Sequence, residues 1–152
     1  MNDRVEKVLW SIALPGFGQL LNGHLVKGVL LIILEFVINM KANLNEVIIS
    51  SFHGNTLLAI NQANFQWLMF YPCIYMYAIW DAYKYSTGAK PEYAFLPFVF
   101  GAYIGTIGVI YSSVLRVRGI LLGPVWLPIL GLVMGTGLGF VLKSFLNNPY
   151  KQ

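Results

Sequence analysis

The chain has 152 residues, of which 57% are hydrophobic and only 11% charged, with a mean hydropathy of +0.65. Ordinary soluble domains carry roughly a quarter charged residues, so sixteen charges cannot hydrate the exterior of so short a protein, and lipid is the solvent that fits. The net charge of +4 is spread through short loops with no basic cluster interleaved with aromatics, which argues against nucleic-acid binding, and the lone Cys73 excludes an internal disulfide or a cysteine zinc cluster.

The first apolar stretch, Val8–Leu21, reads VLWSIALPGFGQLL and is broken in its middle by Pro15-Gly16. It does not read as a cleaved secretory signal. Asp3 and Glu6 mix with Arg4 and Lys7 before it, and no A-x-A site follows. Two readings remain: a span, or a hairpin that enters the membrane and returns. If it returns, Arg4, Lys7, Lys27, Lys84, Lys90, Lys143 and Lys151 lie on one side, against Lys41, Arg116 and Arg118 on the other. If it spans, the ten bases divide equally. Cytoplasmic loops carry the excess of Lys and Arg, so the base count favours the hairpin and places both termini in the cytoplasm.

Next come four stretches with the length of membrane spans: Leu25–Ala42, Phe65–Tyr83, Tyr93–Val114 and Ile120–Leu142. Each approaches the roughly 20 residues needed to cross a hydrocarbon layer of about 30 Å. The expected architecture is therefore an all-α bundle of four spans with an N-terminal re-entrant or short helical hairpin, residues 1–152 forming a single integral membrane domain. Pro97, Pro124 and Pro128 sit in opening turns, where a missing N–H costs least. Pro72 lies inside its span and predicts a kink. Trp67, Trp80, Tyr83, Tyr85, Tyr93 and Trp126 fall near span ends, the depth that indole and phenol rings favour. The one sizeable loop, Asn43–Asn64, mixes Asn and Ser with Val47, Ile48, Ile49, Phe52, Leu57, Leu58 and Ile60, which predicts short segments lying on the membrane surface.

The segment from Pro15 to Gly28, PGFGQLLNGHLVKG, is the most informative. Pro15-Gly16 stops a helix, and Gly16, Gly18 and Gly23 permit tight bends and close backbone approach. A bend at membrane depth must be buried against protein, because lipid cannot satisfy its backbone. Gln19 and Asn22 are placed to supply hydrogen bonds to it. His24 and Lys27 then reach the cytoplasmic surface, where Lys27 can extend into headgroups. The motif reads as a folded hairpin or as one wall of a ligand pocket.

Asp81 ends the second long stretch. Lys84, Tyr77 and Tyr85 share its helical face. One reading is a local Asp81–Lys84 pair. The other has Asp81 accepting hydrogen bonds from the Pro15–Gly28 bend or pairing with Lys27 or His24. Glu35, with Asn39 one turn on, lies inside Leu25–Ala42, and an ionisable group within a span is a functional candidate by default. Glu35 and Asn39 read either as an ion or proton site or as a carboxyl hydrogen-bonded to a neighbouring helix. Gly101, Gly105, Gly108 and Ser112 share one face of the third span, and Gly131, Gly135 and Gly139 one face of the fourth. Small-residue faces let helices approach closely, so these two stripes pack against each other or against another copy of the chain. Cys73, within an apolar run, reads as a small packing residue.

Taken together, PGFGQLLNGHLVKG, the apolar helix that follows it and the later WDAY at Trp80–Tyr83 resemble the bacterial small membrane proteins related to the two-transmembrane-helix domain. Members of that family show P-G-x-G-Q-x-Y-x-G, a K-G, and D-A-Y near the end of the next helix. The likeness covers residues 14–84. It implies that Pro15, Gly16, Gly18, Gln19, Asn22, Gly23, Lys27, Gly28 and Asp81 form the structural motif of a membrane-embedded helical unit, with residues 93–142 as an additional helical hairpin. Leu21 stands where the family has tyrosine, so that hydroxyl's hydrogen bond is missing. The likeness implies no reaction. No G-x-x-x-x-G-K-[ST], H-E-x-x-H or G-x-S-x-G occurs. His24 and His53 fall on opposite membrane faces, so they do not share a metal. The expectation is a non-enzymatic, multi-pass cell-membrane protein without cofactor, partnered by the lipid bilayer and by another membrane protein or its own copies. A small transporter or channel using Glu35 is the alternative.

Overall fold

A computed structural model describes residues 3–147. Lys151 and the termini Met1 and Gln152, which enter the topology argument, lie outside the described residues. The helices in chain order are α1 (Asp3–Ala13), α2 (Phe17–Leu21), α3 (Leu25–Ala42), α4 (Leu44–Phe52), α5 (Thr56–Gln62), α6 (Phe65–Leu68), α7 (Tyr71–Tyr85), α8 (Leu96–Tyr111) and α9 (Gly123–Leu146). A small antiparallel ribbon, β1 (Arg116–Val117) with β2 (Ile120–Leu121), joins α8 to α9. The described residues are thus mainly helical, as an all-α reading requires.

Polar anchors set the course of the N-terminal segment. Asp3 accepts hydrogen bonds from the amide and hydroxyl of Thr87 at 3.1 and 2.8 Å, and Arg4 donates to the carbonyls of Thr87 and Ala89. At the other end of α1 the Tyr75 hydroxyl donates to the Ile12 carbonyl at 2.8 Å, occupying an acceptor that a helix C-terminus leaves without an intrahelical partner. So α1 lies antiparallel along α7. After the turn at Pro15-Gly16, α2 returns, Gln19 reaching Ala78 and Asn22 reaching Ala82. The segment is a short helical hairpin whose two ends face the same end of α7.

The later elements differ from the sequence reading at several boundaries. Phe65–Tyr83 is not one kinked helix. It divides into α6 and α7, and Pro72 occupies the opening turn of α7, where its lack of an N–H forfeits no helix hydrogen bond. The helix expected over Tyr93–Val114 runs from Leu96 to Tyr111. Tyr93 has φ 53°, outside the helical region, and the Ser112 hydroxyl donates to the Val109 carbonyl at 2.7 Å, closing the last turn. Ile120 belongs to β2, and α9 starts at Gly123 and continues to Leu146. Pro124 opens it as expected, but Pro128 lies inside. Arg118 and Gly119 both take positive φ between the two strands, the backbone that a two-residue primed turn demands.

The short segments expected over Asn43–Asn64 are two short helices, α4 and α5. Asn43 adopts the left-handed conformation between α3 and α4, which asparagine tolerates better than most residues, and its amide donates to the Gln62 carbonyl. Val47 and Ala59, both fully buried, pack with Val125 of α9, and the Trp126 indole donates to the Ser51 carbonyl. A second core gathers Ile38, Ala42, Leu44, Leu68 and Val109.

One helix among the described residues, Gly123–Leu146, is long and apolar enough by itself to cross a membrane. Leu96–Tyr111 is apolar but shorter. Leu25–Ala42 has the length but carries Lys27, Glu35 and Lys41, and the α6–α7 break shortens the remaining expected span.

Candidate functional site

Every residue of the Pro15–Gly28 motif has a definable place. Pro15 is fully buried at the hairpin tip. Gly16 has φ 109°, and a β-carbon there would lie 2.5 Å from the Gly28 carbonyl oxygen and 2.6 Å from Ile32. A side chain at Gly16 would thus be strained by its backbone and would also collide with α3. Gly28 is the other half of that approach, pressed against Leu20 and the Gly16 carbonyl. Gly18 lies between α1 and α7, where an added carbon would meet Ser11, the Lys7 carbonyl and Ala82. Gly23 takes φ 79° at the turn into α3 and has open space around it.

The polar residues converge on the C-terminal half of α7. Gln19, fully buried, donates from Nε2 to the Ala78 carbonyl at 2.7 Å and to Asp81 Oδ2 at 3.2 Å. Asn22 donates to the Ala82 carbonyl at 2.9 Å. Lys27 Nζ sits 2.8 Å from Asp81 Oδ1 and 4.4 Å from the centre of the Tyr85 ring, over its face. His24 meets the same ring edge-on at 4.6 Å. Asp81 is therefore joined to Gln19 and Lys27. Lys84 lies over Tyr85 instead. Burying a carboxylate is costly unless it is paired and hydrogen-bonded, and both conditions are met at Asp81. Leu21 is exposed.

A clasp next to this cluster was not anticipated from sequence. Asp3 also pairs with Lys7 at 2.8 Å. Lys7 and Thr87 together hold the Asp3 carboxyl down at about 2. Lys90 donates to the Ser86 and Gly88 carbonyls, and partial burial, reinforced by the charge of Arg4, pushes its ammonium pKa below the ordinary lysine value. The available signal was the i,i+4 spacing of Asp3 and Lys7; the pairing with residues 87–90 needed the fold.

Glu35 and Asn39 do not come together as a site. The Asn39 amide donates to Asn45 Oδ1 at 3.1 Å. Glu35 faces the other way, 8% exposed, with its Oε2 atom buried and unpartnered among the described residues. It lines a cavity of about 420 Å³ bounded by α1, α3, α4, α6, α7 and α9. Tyr71 and Tyr75, found only through the fold, line that cavity with their rings nearly parallel at 5.7 Å.

The glycine stripes meet within the chain. A β-carbon at Gly131 would lie 2.6 Å from the Ile104 carbonyl oxygen, one at Gly108 would lie 2.8 Å from Pro128 Cα, and those at Gly135 and Gly139 would strike Phe100 and Pro97. Gly101 and Gly105 approach Thr136 and Leu132. Cys73 is exposed, its sulfur 3.4 Å from the Thr106 hydroxyl. Among the described residues no three His, Cys, Asp or Glu side chains group as metal ligands.

No family model matches the chain, and no curated protein or solved structure matches it. The functional reading therefore rests on the geometry above and on the motif's own residues.

Proposed function

We propose that this chain is a non-enzymatic multi-pass membrane protein that assembles with, or regulates, another membrane component, and that its Pro15–Gly28 motif locks a re-entrant hairpin against Asp81. The observation that carries the membrane reading is an inverted distribution of polarity. Val26 is 76% exposed, Phe36 68% and Val133 66%, while Gln19 and Asp81 are interior. In water such outward apolar faces are unfavourable at every helix; in lipid they are the solvated surface.

Helix length supports one pass outright, at α9, and the proposal extends this to α3, α7 and α8, of which α8 reaches about 24 Å. α9 is about 36 Å long and α3 about 27 Å at 1.5 Å per residue. α7 alone reaches about 22 Å, and α6 below it supplies the missing depth. Where α6 and α7 part, the amides of Met69 and Phe70 donate to the Phe65 and Trp67 carbonyls, so these donors are paired within the chain, the condition under which membranes tolerate a helix break. In this arrangement Lys27, Lys84, Lys90 and Lys143 fall on the cytoplasmic side and Lys41, Arg116 and Arg118 on the other, as the base rule requires.

The test has two parts. Reporter fusions at Met1 and Gln152 should both read cytoplasmic, and opposite readings would remove the hairpin. Tagged chain isolated from native membranes in mild detergent should bring down a stoichiometric membrane protein or further copies of itself. A lone monomer in every mild detergent would overturn the assembly reading, and a monodisperse species in plain buffer would overturn the membrane reading. A second reading, a small oligomeric transporter or channel, is favoured by the unpartnered Glu35 oxygen at the cavity. Flux in proteoliposomes that Glu35→Gln abolishes would select it.

A further inference from the structure

The cavity beside Glu35 has features that neither assembly nor topology explains. Its volume of about 420 Å³ falls within the roughly 300–1,000 Å³ typical of small-molecule sites. Most of its wall is aliphatic, including Ile48, Leu68 and Leu132, and Glu35 is the one acid on it. No Lys, Arg or His lines it, so the protein provides no cation there to balance a carboxylate. Glu35 lines the cavity while only 8% exposed, and its Oε2 is buried with no hydrogen-bond partner among the described residues. The Tyr75 hydroxyl is already committed to the Ile12 carbonyl, which leaves its ring, stacked on Tyr71, as the surface it offers.

We propose that this cavity binds an alkylammonium amphiphile, its charged nitrogen on Glu35 and its hydrocarbon chain along the aliphatic wall. A carboxylate with a free acceptor, next to faces of aromatic rings, is the complement of an ammonium group. A bare divalent cation would need several further oxygen ligands, and the wall holds no second carboxylate or amide. A neutral lipid chain would fill the volume but leave the Glu35 carboxyl unpaired in apolar surroundings, at a cost. Ile12, Ala13 and Pro15 of the N-terminal hairpin form part of the wall, so the occupant also abuts the element that the Gln19–Asp81 cluster holds in place. The inference rests on the cavity alone and stands whether or not the chain assembles with a partner.

The test uses the full chain in a non-ionic detergent with three probes of equal chain length: decylammonium, decanol and decyl sulfate. Thermal melting and native mass spectrometry report binding. Decylammonium should bind saturably, at least about tenfold more tightly than decanol, the margin expected of a hydrogen bond to a charged group, and decyl sulfate should not bind. Glu35→Gln should reduce decylammonium binding to the level of decanol, and Ile129→Trp, which narrows the cavity and retains the carboxyl, should weaken both probes. Equal affinity for decanol and decylammonium in the unmodified chain, absence of saturable binding, or full binding by Glu35→Gln would each overturn the proposal. The three-probe comparison needs no variant, so it decides the matter even if a substitution fails to fold.

Discussion

Replacing Asp81 with asparagine isolates the contact that fixes the hairpin. The substitution preserves shape and removes one charge. If the new amide turns its oxygen toward Lys27, its NH2 faces Gln19 Nε2, which now stands 3.2 Å from Asp81 Oδ2 as a donor. Two donors then oppose each other in a site where the residue at position 81 is almost wholly buried. Breaking a fully buried ion pair by removing one partner costs roughly 3–5 kcal/mol. Here the Lys27 side chain is 38% exposed, so water screens it, and the expected loss is about 1–3 kcal/mol. For a chain of this size that lowers the melting temperature by roughly 2–12 °C, taking about 2–4 °C per kcal/mol. Lys27→Gln should cost more, because it leaves the Asp81 carboxylate buried with Gln19 as its remaining partner. The double variant should cost less than the two singles together, giving a coupling of at least about 1 kcal/mol. Lys84→Gln, which touches Tyr85 and not Asp81, should change stability by no more than about 0.5 kcal/mol. Thermal melts of the unmodified chain, the two single variants and the double variant in one detergent supply the cycle, with Lys84→Gln as the control. Additivity of Asp81→Asn and Lys27→Gln within about 0.5 kcal/mol, or a larger effect at Lys84 than at Lys27, would refute the reasoning.

Gly135→Leu drives a branched side chain into the Phe100 carbonyl on the facing helix. Overpacking typically costs about 1–3 kcal/mol, and contact with backbone, which cannot rotate away, puts this site at the upper end; a lower yield and melting temperature with no change in oligomer size are expected, whereas a change in oligomer size at unaltered stability would move the stripe to an interface between chains. The Asp3 clasp should respond to acid. Its carboxyl is held at about 2 against an ordinary value of 3.8, so its contribution is complete above about pH 4 and fades as pH falls toward 2. Limited proteolysis near Thr87 should increase over that interval in the unmodified chain, and Asp3→Asn should show the increased cleavage already at pH 6; a pH-independent cleavage rate would show that the clasp does not restrain this segment.

Much of the local structure is written in the sequence. The apolar run of Leu25–Ala42 gave its helix the observed bounds, because nothing in it interrupts the 3.6-residue period and Asn43 ends it. The small residues of Gly101–Gly108 and Gly131–Gly139 marked two faces suited to close approach, and Pro15-Gly16 marked a bend. Where boundaries failed, a local feature had been misjudged in its register. Pro72 reads equally well as a kink or as a helix start until the turn at residues 69–70 is known, and the Arg118-Gly119 turn was obscured by the apolar residues on both sides.

What composition and periodicity determined is the apolar character of the chain and the bounds of Leu25–Ala42, since both depend on neighbours within a few residues. Pairing between distant residues was left to the tertiary structure. Asp81 had Lys84, Lys27 and His24 all within plausible reach, and the choice of Lys27 followed from where α2 turns back along α7. Glu35 and Asn39 stood one turn apart, yet packing directed one into a cavity and the other toward Asn45. Val47 and Ala59 acquired a core only once Val125 was brought beside them. Contacts of this kind depend on how whole helices dock, and docking is a property of surfaces assembled from many positions rather than of any short run of residues.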